Sequence, residues 1–229
     1  LQAGEEARLR ALPDAVKHAM AFDYQVARPA LLLGDSLWYL HRYDDAVVAY
    51  RRAIDHFERA LAQTPADRRV LNGAVNGYWS LSGAMLDVGR PAAEALAVID
   101  RGAAIAERLL TLDPDNLDAN RMLGVVLNQR ALILSKLGRH PEAIAIAQAR
   151  LGSAENRLRQ APDDAERARD RASTLRTLAE LHEAAGERKP ACSTWLRAAE
   201  AWQGINTRWG ISTFDRAGDA ALADRKRTA

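Results

Sequence analysis

The sequence predicts an all-α chain, a solenoid of about four antiparallel helix pairs with a C-terminal capping segment. Three observations predict it. A Pro-marked loop occurs in "ALAQTPAD" (60–67), "LLTLDPDN" (109–116) and "RLRQAPDD" (157–164), and Pro65, Pro114 and Pro162 lie 49 and 48 residues apart. A turn followed by alanine occurs in "LHRYDDA" (40–46), "VGRPAAEA" (88–95), "LGRHPEA" (137–143) and "AGERKPA" (185–191). Its glycines Gly89, Gly138 and Gly186 keep the same spacings of 49 and 48, and His41 takes the place of Gly in the first copy. Between the markers, small and apolar residues recur at helical steps. Self-similarity at a period of about 20–50 residues is the signature of stacked supersecondary units.

In chain order, residues 1–15 are a lead-in, and the chain opens on Leu1 rather than Met, so a fragment or processed product is expected. Helix pairs are expected over about 16–63, 66–112, 115–160 and 164–204. In the first pair, Pro29 should kink or break the helix, since Pro has no N–H and crowds the preceding turn. The second helices carry one periodic face each: Ala46, Tyr50, Ala53, Phe57 and Ala60, then Ala95, Ile99, Gly102, Ala106 and Leu109. The third copy, Ala143, Ala147, Arg150, Ala154 and Leu158, has Arg150 as an interruption, and the fourth shows Ala191, Trp195, Ala198 and Trp202. Steps of 3 and 4 put these on one helix face. Gly34, Ser82, Ala131 and Ala179 are small where the first helices must approach Ala46, Ala95, Ala143 and Ala191. Pro marks the loops because it sits at a helix stop or in the first turn of the next helix. Residues 205–229 read as a cap ending in the polar tail "ADRKRTA". The end units of such an array need polar outer faces.

Composition narrows the function classes. With 48% hydrophobic and 27% charged residues the chain is globular rather than disordered. Its 32 basic and 30 acidic residues nearly balance, which argues against nucleic acid as a partner. No run of about 18 apolar residues is present, so no membrane contact is expected of this segment. The single Cys192 excludes an internal disulfide and reads as a buried small hydrophobe. "HRYDD" (41–45) lacks the order of a kinase catalytic loop, and "HEAAG" (182–186) lacks the second His of a zinc-protease helix. His18, His41, His56, His140 and His182 are scattered. The chain is therefore expected to be no enzyme and to need no metal or cofactor. "ERARDRASTLR" (166–176) alternates charge and reads as a solvated helix face, or else as a docking strip for an acidic partner.

The stretch "LGDSLWYLHRYDDAVVAYRRAI" (33–54), with Leu33, Gly34, Tyr43, Ala46, Tyr50 and Ala53, resembles the tetratricopeptide repeat (TPR). The resemblance covers roughly residues 16–205. The usual repeat has about 34 residues, so this one is longer by about two turns per helix. It is similar to the lengthened arrays at the C-termini of bacterial multidomain proteins, including eukaryotic-like Ser/Thr kinases.

The resemblance implies a right-handed solenoid whose first helices line a concave face. On that face it implies Arg28, Leu31, Asp35, Trp38 and Tyr39, then Asn76, Trp79, Gly83, Leu86 and Asp87. The third pair would add Val125, Asn128, Leu132, Ser135 and Lys136, and the fourth Ser173, Arg176, Glu180 and Glu183. Trp38, Tyr39 and Trp79 make one end aromatic, and Asn128, Lys136, Arg176 and Glu180 make the other polar. The expected function is a scaffold that binds a protein or peptide ligand, the interaction or regulatory part of a larger bacterial protein. A self-association module and a small-molecule or peptide sensor are the alternatives. The compartment is open: cytoplasmic, or extracytoplasmic if a membrane helix precedes the segment.

Overall fold

The computed structural model describes residues 22–114 and 116–227; the lead-in 1–15, the expected start of the first pair at 16 and His18 lie outside them. The described residues form α-helices and one π turn, with no strand. Eight long helices come first: α1 (Phe22–Tyr39), α2 (Tyr43–Gln63), α3 (Arg68–Asp87), α4 (Ala92–Leu112), α5 (Leu117–Lys136), α6 (His140–Gln160), α7 (Ala165–Ala184) and α8 (Arg188–Trp209). Then follow α9 (Thr213–Asp215), a π turn at Arg216–Ala220, and α10 (Ala221–Arg227). The chain divides into two compact units between Gln129 and Arg130, inside α5.

The turns explain the glycine spacing. His41, Gly89, Gly138 and Gly186 all adopt positive φ, at 57°, 74°, 74° and 74°. At each, the following N–H reaches back five residues: Arg42 to Leu37, Arg90 to Met85, Arg139 to Leu134 and Glu187 to His182, at 2.8–2.9 Å. That is the Schellman helix stop, whose left-handed residue is usually Gly. A Cβ on Gly138 would meet nothing within 4 Å, so only backbone conformation demands Gly there. Gly138→Val should cost about 1–3 kcal/mol. His41→Gly should go the other way and stabilise by about 0.5–1 kcal/mol, because Gly takes the left-handed conformation without the Cβ clash, which outweighs the entropy it adds to the unfolded chain. Chemical denaturation checks both, and an unchanged midpoint in Gly138→Val would show that position tolerates any residue.

The Pro-marked loops serve the next helix. Two residues after each Pro, an Asp or Asn caps a first helix: Asp67 accepts from the Arg69 and Val70 amides, Asn116 from Ala119, and Asp164 from Glu166 and Arg167. A side-chain acceptor there satisfies N–H groups that lack helical partners. The Arg69 guanidinium and these amides hold the Asp67 carboxyl below its usual range.

Pro29 does not break α1, which runs through it. The Gln25 carbonyl, four residues back, loses its helical donor, but Gln25 is exposed and water can supply one. Close packing joins the first two helices. Gly34 is buried, and a Cβ on it would lie 2.4 Å from the Tyr50 ring. Ser82, Ala131 and Ala179 are fully buried, as are Ala46, Ala95 and Ala143. In the first unit, Phe57, Ala53 and Ala60 of α2 pack with Ala27, Ala30, Val70 and Ala74. In the second unit, Trp195, Ala198 and Trp202 of α8 are buried. Helix α8 continues to Trp209 and stops at Gly210, with φ 77°. Asp215 then pairs with Arg169 at 2.6 Å, and Lys226 with Glu183 at 2.9 Å, tying the C-terminal turns to α7.

Cys192 is exposed rather than buried. It follows Ala191, and one residue turns the helix by about 100°, which carries it off the inward face. The arginine-rich stretch is not a plain solvated face either. Asp170 bridges Arg150 and Arg157, Arg171 faces Glu155 at 3.6 Å, and Arg169 reaches Asp215.

Candidate functional site

In the first unit, α1 and α3 carry the aromatic residues expected on the binding face. Trp38 Nε1 donates to Asp87 Oδ2 at 2.7 Å, so the two first helices present these side chains on one side. Trp38 and Trp79 are each 39% exposed, and Tyr39 is 76% exposed. None of the three is core. The Trp38 ring lies 5.4 Å from Tyr39 and 6.3 Å from Tyr43, centroid to centroid. Asp35 is half-buried and accepts the Tyr50 hydroxyl proton at 2.9 Å. Burial and that carboxylate push the Tyr50 phenol well above its ordinary pKa.

Other residues expected on the face behave differently. Arg28 is exposed, and Leu31 packs against the buried cluster around Phe57 and belongs to the core. Asn76 is half-buried and donates to the Asn72 carbonyl at 3.2 Å. Asn128 is half-buried, and its amide oxygen meets no donor among the described residues.

In the second unit the expected polar residues are largely neutralised. Arg176 pairs with Glu180 at 2.6 Å one turn along α7, and both are half-buried. Glu183 is held by Lys226. Lys136 is exposed in the last turn of α5. A separate open groove of about 850 Å³ is lined chiefly by α6 and α8, with Leu151, Glu155, Thr194 and Arg197, and by His182 of α7. His182 Nδ1 lies 2.6 Å from Glu187 Oε2 there. Among the described residues no group of three or more His, Cys, Asp or Glu could hold a metal ion, and no helix is long and apolar enough to cross a membrane.

Polar clusters that sequence reasoning missed join neighbouring helices. Glu58 of α2 receives both the Tyr78 hydroxyl and the Arg101 guanidinium. His56 is buried, with Nδ1 2.8 Å from Asp23 Oδ1, and Arg59 Nε donates to the same oxygen at 3.0 Å. Burial lowers the His56 pKa; the Asp23 hydrogen bond opposes this without reversing it. The unfolded chain then binds the proton more readily than the folded one below pH about 6.5. Stability should therefore be flat above that pH and fall as pH drops through it. Melting from pH about 7.5 to about 5.5 brackets that value and tests this. His56→Gln should flatten the slope; an equal slope in the variant would assign it elsewhere.

No family model matches the chain, and no curated protein matches it. Among solved structures, 24 chains match. One is a thermophilic TPR protein of Thermus thermophilus, 18% identical, with a TM-score of 0.37, covering 87% of this chain and 99% of that one.

Proposed function

We propose that the chain is an interaction scaffold that binds a protein or peptide ligand through the first-helix face of its first unit. The observation that supports this is the exposure of Trp38, Tyr39 and Trp79, held in place by the Trp38–Asp87 bond. In the second unit Trp195 and Trp202 are buried, and Trp209, 37% exposed, lies under the Arg208 guanidinium. Aromatic residues that keep open area are the usual anchors of a binding interface. Arg28 and Asn76 would flank these anchors; Asn128, and in the second unit Lys136, Arg176 and Glu180, are further contacts under the same reading. The resemblance to arrays carried by bacterial kinases makes regulation of a linked catalytic domain the working context.

A photo-crosslinking residue at Tyr39 should trap a partner that the same residue at Asp118 does not. Trp79→Ala should weaken that partner by about 2 kcal/mol or more. Its stability cost should stay below the roughly 3–5 kcal/mol of a fully buried aromatic. A full core-sized loss on melting would sink Trp79 as an anchor.

Self-association is a second reading, supported by Leu32, Leu40 and Val48, which are 57%, 67% and 67% exposed on α1, on the following turn and on α2. A concentration-independent mass in light scattering would remove it. The groove of the second unit supports a sensor reading, in which a small molecule occupies it.

A further inference from the structure

We infer that the corner built from Trp38, Tyr39, Tyr43, Asp35 and Asp87 receives a cationic side chain, Arg or Lys, of the partner protein. This rests on the scaffold reading and names the chemistry of its ligand. The corner has two components that favour the same charge. The first is aromatic. Trp38 meets Tyr39 at 77° and Tyr43 at 57°, and at 39% exposure its indole keeps open area beside the exposed Tyr39 phenol. Trp is the strongest and Tyr a good partner for a cation over the ring. Other rings in the chain already carry an arginine: Arg69 covers Tyr24, Arg101 covers Tyr78 and Arg208 covers Trp209.

The second component is charge. Asp87 accepts the Trp38 indole N–H, and Asp35 accepts the Tyr50 hydroxyl. Both donors are neutral, and neither carboxylate has an ion pair among the described residues. Arg42, the nearest arginine in sequence to Tyr43, is held by Asp45 at 2.6 Å. Asp35 and Trp38 lie three residues apart on α1 and so share a face. Thus two carboxylates without counter-ions flank an exposed indole. A guanidinium or ammonium would stack on the ring and take a free carboxylate oxygen, as a neutral or acidic side chain could not.

The test uses the full chain and fluorescein-labelled hexa-arginine, with hexa-glutamate as the opposite charge, read by fluorescence anisotropy. Hexa-arginine should bind and hexa-glutamate should not. Asp87→Asn keeps an acceptor for the indole N–H and removes only the charge; it should weaken hexa-arginine about tenfold. Trp38→Leu should weaken it comparably, and Asp118→Asn, on α5, should change nothing. Melting curves confirm that each variant folds. Equal binding by wild type and Asp87→Asn, or equal binding of both peptides, would overturn the inference. A doubled mass that Asp87→Asn abolishes would also overturn it, giving the corner to a second copy. A partner crosslinked at Tyr39 whose affinity ignores Asp87→Asn would defeat the cation site and leave the scaffold reading standing.

Discussion

Asp170→Ala should destabilise the second unit by about 3–5 kcal/mol, because it strands a buried guanidinium. Arg150 of α6 is 8% exposed, and its Nη2 donates to Asp170 Oδ1 at 2.6 Å and to Thr174 Oγ1 at 2.9 Å. Arg157 Nη2 donates to the other carboxylate oxygen at 2.5 Å. The Thr174 hydroxyl in turn donates to the Asp170 carbonyl at 2.7 Å. Burial pushes the Arg150 pKa down, and the Asp170 carboxylate works against that. Removing Asp170 leaves two like charges together, one of them without access to water. Asp170→Asn keeps an acceptor and should recover part of the loss. Arg150→Met combined with Asp170→Leu should recover most of it, since replacing a buried pair by apolar groups is often nearly neutral. Urea denaturation ranks the variants against the wild type. A loss below about 1 kcal/mol in Asp170→Ala would mean that Arg150 reaches solvent when its partner is gone.

The same arginine shows where sequence reading stops. On the helical face of α6 Arg150 stands where the other copies have Ala53, Gly102 and Ala198, so it looks like an interruption. Its partner Asp170 lies on the next helix, across a loop, among alternating charges that read equally well as a solvated strip. Periodicity gives the face of a residue but not the neighbour it meets. The turns were legible for the opposite reason. A left-handed stop is a local demand, and Gly89, Gly138 and Gly186 announce it wherever the chain folds; His41 meets the same demand at φ 57° without being Gly.

The candidate face was legible in part. Trp38 and Trp195 are the same residue type on helices, yet one is 39% and the other 2% exposed. Only the packing of the adjoining helices separates them. Leu31 sits on the expected face by register but turns into the cluster around Phe57. Cys192 follows an inward alanine, yet one step along the helix takes it to solvent.

Phe57→Ala should be as costly as the loss of Asp170, about 3–5 kcal/mol, and it should reverse the effect of a second substitution. Phe57 of α2 is fully buried, and its ring lies against Gly73 of α3. A Cβ on Gly73 would stand 2.4 Å from Phe57 Cε1 and 2.5 Å from Cζ, closer than such atoms approach. The ring is also packed edge-on against Tyr24, at 6.2 Å between centroids, and has little room to retreat. Gly73→Ala alone should therefore cost about 1–3 kcal/mol by overpacking, despite the better helix propensity of Ala. In the Phe57→Ala protein the same methyl group enters the space that the ring has left. There it fills part of the cavity, and the helix gains up to about 1 kcal/mol from losing a glycine. Gly73→Ala should then stabilise rather than destabilise. A double-mutant cycle by chemical denaturation reads this as a coupling between the two positions. Additive losses would show that α2 and α3 shift apart to admit the methyl group, and that the glycine is not required for their approach.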